Sequence, residues 1–213
     1  MENHKKKLRV IRLIVHVASI LPALGLALAA LTNHLTANPI QAATQRTGDV
    51  AIILLILSLA CTPLHTLTGA RFLVGLNKPL GLYAFGYATL HFFLYAGVDF
   101  GFSVRFLIPE FLEKRYLWAG LPALLILIIL AATSFKSSQR KLGKAWKKLH
   151  RLVYLAAAFV VLHLAWVVKG DVSRFSGDIW KPLAAGISVT FLLALRLPPV
   201  TRLIKSLRNR SAP

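Results

Sequence analysis

Apolar positions in this chain come in long unbroken runs, not in the stripes of a water-soluble helix or the alternation of a half-buried strand. A hydrocarbon core about 30 Å thick takes about 20 apolar residues of helix to cross. Six stretches approach that length: 13–31, 50–67, 80–98, 116–135, 149–168 and 179–197. The second is the most irregular, because Pro63 and His65 fall near its end. A proline is tolerated in a membrane helix when neighbours satisfy the carbonyl it frees. The pattern predicts an all-α integral membrane protein, a single bundle of about six transmembrane helices formed by residues 1–213 as one domain. The connection from Asp99 to Arg115 contains Pro109 and mixed charge, and suits a short interfacial helix. No internal repeat stands out in the residue pattern. A signal peptide is the alternative reading of the first stretch, since Lys5, Lys6, Lys7, Arg9 and Arg12 precede it. The run is long for that purpose, and five more follow.

Composition agrees and adds a direction. Of 213 residues, 56% are hydrophobic and 15% charged, against about 45–50% and about 25% in soluble domains. The formal net charge is nevertheless +19. A soluble nucleic-acid binder suits the charge but leaves the apolar surface uncovered, so no nucleic-acid partner is expected. With six alternating spans, one side receives Lys5–Arg12, Arg71, Lys78, Lys136–Arg151 and Arg196–Arg210, which is 19 basic residues against the single acid Glu2. The other side receives seven basic residues and six acids. Lys and Arg near span ends favour the cytoplasm, so both termini are expected there. Trp118, Trp166 and Trp180 then fall together at the opposite interface, where aromatic side chains gather. The basic clusters would meet lipid headgroups, and would equally attract an acidic cytosolic protein or an anionic cofactor.

Candidate chemistry rests on histidine. A lone cysteine, Cys61, excludes an internal disulfide and a Cys-built metal site. No acid falls inside the six stretches, which argues against a carboxylate-driven pump. His91 lies past the midpoint of the third stretch, and His163 past the midpoint of the fifth. Counted from the start of each stretch at about 1.5 Å per residue, their depths are about 17 and about 21 Å. Both therefore sit beyond mid-membrane at similar height on different helices. A single such histidine is as well explained by an interhelical hydrogen bond. Two at matching depth favour a shared ligand, and paired neutral imidazoles suit the axial positions of haem iron. Zinc would want more ligands than this level offers. His150 precedes His163 at the opposite end of the fifth stretch, within Lys147-Lys148-Leu149-His150-Arg151. It reads either as a basic interfacial residue or as part of a redox site nearer the cytoplasm. His16 has no evident partner and reads as structural. His4, His34 and His65, in loops or at span ends, read as solvated polar residues.

Four segments carry a resemblance. They are Thr62-Pro63-Leu64; Leu80-Gly81-Leu82 with Phe85 and Ala88-Thr89-Leu90-His91; Arg140-Lys141-Leu142-Gly143-Lys144 with Trp146 and Leu149-His150; and His163 with Trp166. Together they resemble the haem-binding membrane subunits of bacterial periplasmic protein-methionine-sulfoxide reductases, in the ferric-reductase-like transmembrane group to which the NADPH oxidases are related. The likeness runs from the first stretch to the sixth, and the run ending in Leu149-His150 is its most specific part. It implies a b-type cytochrome of the bacterial inner membrane. Electrons would come from a cytosolic flavin reductase or a quinol and leave to a periplasmic molybdopterin catalytic subunit. His91 and His163 match the pair expected to hold the outer haem b, and His150 matches the inner histidine. In the oxidase relatives a second histidine precedes the one matching His91 on the same helix, nearer the cytoplasm. Here that position is Asn77, beside Lys78, where close relatives usually carry two arginines. Asn is a poor haem ligand. One haem is therefore preferred over two, and a bound FMN or quinone near Lys78, His150 and Arg71 becomes attractive. A ferric or quinone reductase of the same fold is the nearest alternative; a non-redox scaffold or transporter is the other.

Overall fold

In a computed structural model the chain is described at residues 2–168, 170–171, 176–177 and 179–210, with side chains at 8–168 and 179–208. His4, Lys169, Arg174 and Asp178, which entered the sequence reading, lie outside the described side chains.

Ten α-helices account for nearly all of the described chain: α1 Glu2–Leu31, α2 Pro39–Thr68, α3 Phe72–Phe93, α4 Val104–Glu113, α5 Arg115–Ala132, α6 Lys136–Leu142, α7 Lys144–Leu149, α8 Leu152–Val167, α9 Trp180–Ala194 and α10 Pro198–Arg210. A single π-helical turn, Leu94–Asp99, continues α3. Two-residue strands, Gly170–Asp171 and Ser176–Gly177, pair antiparallel before α9. Four helices are long and apolar enough to cross a membrane, and up to six cross if each of two bent pairs counts as one span. In those pairs the chain turns by 119° into α4 and by 72° into α10. The short helix expected between Asp99 and Arg115 is α4.

The boundaries of α2 differ most from expectation. The second stretch is expected to begin at residue 50, yet α2 starts at Pro39. Asn38 caps it, its side-chain oxygen accepting the Gln41 N–H at 3.0 Å, and Pro39 supplies a first-turn φ at no hydrogen-bond cost. Asp49 thus stands on a helix, in an ion pair with Lys181 at 2.6 Å that ties α2 to α9. The helix ends where Gly69 turns left-handed (φ 73°), its N–H reaching the His65 carbonyl at 2.8 Å.

Packing is tightest in two helix pairs, α2 with α3 and α5 with α8. Leu54, Leu55, Leu59, Leu80, Leu127 and Val189 form the centre of the core. Ala84 and Ala156, both fully buried, let the helices approach closely. On the opposite faces Leu13, Val17, Leu24, Leu125, Ile187 and Phe191 are exposed, as a lipid-facing surface requires. Near the α9 end Arg196 donates to the Tyr154 hydroxyl and to the Leu59 carbonyl, both at 2.6 Å, joining α9 to α8 and α2.

Candidate functional site

His91 on α3 and His163 on α8 meet inside the bundle. Their ring centroids are 6.0 Å apart and the rings are nearly perpendicular, at 87°. Each Nδ1 bonds a backbone carbonyl at 2.8 Å: His91 to Thr44 on α2, His163 to Tyr116 on α5. A carbonyl only accepts, so Nδ1 carries the proton and Nε2 keeps its lone pair. This arrangement fixes the tautomer and aim of a metal-binding imidazole.

The two halves of the site are built alike. Both histidines lie 47 residues after their carbonyl partner. Both press on a glycine one helical turn past that carbonyl. A Cβ on Gly48 would come within 3.1 Å of the His91 Nδ1, and one on Gly120 within 2.6 Å of the His163 Nδ1. The pairs Thr44 and Tyr116, Gly48 and Gly120, Ala84 and Ala156, and His91 and His163 all share one and the same offset along the chain. The hairpins α2–α3 and α5–α8 therefore repeat one arrangement of carbonyl, glycine and histidine. This corrects the reading that the chain has no internal repeat: the copies share a few sterically demanding positions and little else, so composition hides them.

Two neutral imidazoles make an incomplete site for zinc, and no group of three or more His, Cys, Asp or Glu able to hold a metal occurs among the described residues. A porphyrin needs only these two, because it brings the other four donors itself. The ring centroids, 6.0 Å apart, are close enough for both imidazoles to reach one metal ion held between them. The donor set and the spacing both fit haem. The π-helical turn just beyond His91 is a feature frequent at functional sites.

At the other end of the bundle the geometry differs. His150 Nε2 lies 3.1 Å from the Thr133 hydroxyl, and its ring packs against Trp146 with centroids 4.1 Å apart. The Trp146 indole N–H donates to the Thr133 carbonyl at 2.9 Å. Lys78 donates to the adjacent Ser134 carbonyl at 2.7 Å and sits 5.6 Å from the Phe135 ring centre. Lys78 and His150 thus converge on the turn after α5, and they too are related by the offset that relates the two hairpins. Asn77 points elsewhere, its side-chain oxygen accepting the Ser58 hydroxyl at 2.6 Å. No second imidazole faces His150 among the described residues. Arg71, just before α3, is exposed and no described contact joins it to this cluster.

Three further histidines complete the comparison with expectation. His16 has a partner after all, the Tyr83 hydroxyl at 3.0 Å. His65 belongs to the last turn of α2, and its Nδ1 is buried without a partner instead of solvated. His34 lies in the connection after α1, as expected. Trp118, Trp166 and Trp180 are exposed around the His91 and His163 end, consistent with one interfacial belt. The Thr44 and Tyr116 carbonyls and the two glycines were missed by sequence reasoning. The identical step from glycine to histidine in both hairpins was the available signal.

Residues 47–171 match the family model of the ferric reductase like transmembrane component. A relative from Deinococcus radiodurans is 42% identical over 92% of this chain and 93% of its own length. One from Rhodospirillum rubrum is 38% identical over 97% of both chains, and one from Herminiimonas arsenicoxydans 38% identical over 90% and 86%. All three are named protein-methionine-sulfoxide reductase heme-binding subunit MsrQ.

Proposed function

Since the chain belongs to the ferric reductase-like transmembrane family, and within it to the MsrQ heme-binding subunits, we propose that this multi-pass membrane protein is a b-type cytochrome. It carries electrons from the cytoplasm to a methionine-sulfoxide reductase catalytic subunit, a molybdopterin protein of the periplasm that repairs oxidised proteins. The whole chain forms one haem-binding domain in the inner membrane, with both termini cytoplasmic. The observation that carries this reading is the His91 and His163 pair, with ring centroids 6.0 Å apart and both Nδ1 protons committed to carbonyls.

Haem b, when bound, supplies reversible one-electron chemistry. His91 and His163 hold it by their free nitrogens. The Thr44 and Tyr116 carbonyls keep each ring from turning and raise its basicity as a ligand. Gly48 and Gly120 leave the space in which the rings stand. The apolar core between the two ends keeps water out. One haem is the number the ligands support, because His150 has no imidazole opposite it among the described residues.

Lys78, His150 and Trp146 form the entry side. A cation, a hydrogen-bonding imidazole and an indole face suit a flat anionic acceptor, FMN or a quinone, with Arg71 available at the rim. The basic residues of α6 and α7 would draw an acidic cytosolic flavin reductase by long-range attraction. The catalytic subunit would dock at the opposite end, over α4 and the start of α9. This direction follows from the asymmetry of Lys and Arg between the two sides.

A reduced-minus-oxidised spectrum of the purified chain, with a pyridine haemochrome count, tests the reading. One haem b per chain is expected, with the Soret band lost in both His91→Ala and His163→Ala. A colourless protein from haem-replete cells, or alanine variants that keep the band, would overturn it.

A further inference from the structure

Helix α1 is the most loosely packed of the long helices; Leu13, Ile14, Val17, Leu21, Leu24 and Leu28 are all exposed. Two tyrosines of α3 fasten it. Tyr83 meets His16, and the Tyr87 hydroxyl accepts the Ala23 N–H at 3.0 Å while donating to the Ser19 carbonyl at 2.7 Å. Ser19 and Ala23 are four apart, the pair that a regular helix joins to each other. Tyr87 therefore inserts its hydroxyl at that rung, beside Pro22, whose missing N–H leaves a second rung open.

Next to this rung α1 stands away from α2. The gap is a groove of about 440 Å³, lined in part by Pro22 and Gly25 of α1, Val50 of α2 and Tyr87, with Arg46 and Asp49 as its charged members. That volume lies within the range of about 300–1,000 Å³ typical of ligand sites. A side chain on Gly25 would meet nothing within 4 Å. Asp49 is neutralised by Lys181. Tyr87 has both its donor and its acceptor engaged on α1. Arg46 has no hydrogen-bond or ion-pair partner among the described residues. The groove thus offers apolar walls and one uncompensated guanidinium.

Depth adds to this. The 30 residues of α2 extend about 45 Å at about 1.5 Å each, enough to span the headgroup regions as well as the hydrocarbon. Arg46 comes about 10 Å after the start of α2, between Thr44 and Gly48 and so level with His91, and its side chain is long enough to reach from there toward the headgroups. A guanidinium so placed pairs with phosphate through fixed parallel donors.

We propose that the groove between α1 and α2 is a phospholipid site: Arg46 binds the phosphodiester, and one acyl chain lies along Pro22, Gly25 and Val50. The lipid fills the gap that α1 leaves and holds that helix to the bundle at the His91 end.

The test uses the full chain, delipidated in detergent and titrated with palmitoyl-oleoyl phosphatidylglycerol or with dioleoylglycerol, which lacks the phosphate. Native mass spectrometry counts bound molecules. The wild type is expected to hold one phosphatidylglycerol and to bind dioleoylglycerol at least about tenfold more weakly, the scale of one lost charge-assisted contact. Arg46→Gln is expected to weaken phosphatidylglycerol by a similar factor and Arg46→Lys by less. Gly25→Leu, whose side chain enters open space, should remove the lipid with Arg46 intact. Arg105→Gln, the same charge change on α4, should bind like wild type. Equal binding of the two lipids overturns the proposal, as does unchanged binding in both groove variants. A quinone found in place of phospholipid in the wild-type extract, and lost from both variants, also overturns it.

Discussion

The hairpins α2–α3 and α5–α8 are copies at one end and differ at the other. Near His91 and His163 each presents a carbonyl, a glycine a turn later and a histidine 47 residues after the carbonyl. Near the opposite end the matching positions are Lys78 and His150, a permanent cation and an imidazole. On the proposed reading the same backbone would support two kinds of site. Equal ligands would hold one shared centre, and unequal groups side by side would make a surface for something that arrives and leaves. Substitutions that make the ends more alike, or the halves less alike, test this division.

The largest effect belongs to the shared centre. His91→Ala and His163→Ala should each abolish the Soret band, because one axial imidazole does not hold the group in place of two. A smaller effect separates the halves. Gly120→Ala brings a Cβ to 2.6 Å from the His163 Nδ1, nearer than such atoms approach, so the ring must turn off the Tyr116 carbonyl. Gly48→Ala leaves 3.1 Å to the His91 Nδ1, which a shift of a few tenths of an ångström relieves. Loss of such a supporting bond costs about 10–100-fold in metal-site affinity. Haem retention during purification should therefore fall clearly in Gly120→Ala and only slightly in Gly48→Ala. Equal loss in both would mean that the halves do not bear on one centre in the way their geometry suggests.

Substitutions at the unequal end should act on rate and leave binding intact. His150→Gln and Lys78→Gln are expected to keep the full Soret band and slow reduction of the haem by a flavin reductase or quinol severalfold. Stopped-flow absorbance reads both quantities. A partly lost band in His150→Gln, with the haem at His91 and His163 retained, would assign His150 to a second haem. Lys78→His sharpens the comparison from the other side, since it places an imidazole at the position matching His150. A haem count rising from one toward two per chain is the expected result; a count fixed at one would show that the copies diverge in geometry here as well as in sequence.

Much of this was legible in the residues. Six apolar stretches pointed to the all-helical membrane bundle, and the depth of His91 and His163 brought them together before any coordinates. What stayed hidden has physical causes. The apolar stretch begins only at residue 50, yet a capped N-terminus and the Asp49–Lys181 pair carry the helix back to Pro39. The carbonyls that orient the histidines are main-chain atoms, and no side-chain pattern marks them. The likeness of the two hairpins is concealed because a membrane helix needs only bulk hydrophobicity on its lipid side, so only positions with steric or bonding demands match. Tyr83 as partner of His16 depends on how α1 lies against α3, which sequence spacing does not set.

The smallest expected effect lies in the interior between the two ends, where the hairpins also differ. In the first, the Ser58 hydroxyl donates to the Asn77 side chain at 2.6 Å and lies 3.0 Å from the Asn77 carbonyl. In the second hairpin the matching positions are Leu130 and Leu149. A buried hydrogen bond contributes about 1 kcal/mol net, whereas stranding one partner costs about 1–3 kcal/mol. Ser58→Ala alone leaves the Asn77 amide oxygen without its donor and should lower thermal stability in detergent by roughly that amount. Ser58→Ala with Asn77→Leu moves the first hairpin toward the apolar solution of the second and should recover most of the loss. A double mutant as unstable as the sum of its single changes would mean that Asn77 acts beyond this bond, through the entry site beside Lys78. Recovery in the double mutant would confine Asn77 to packing, and leave Lys78 and His150 as the residues that distinguish the two ends.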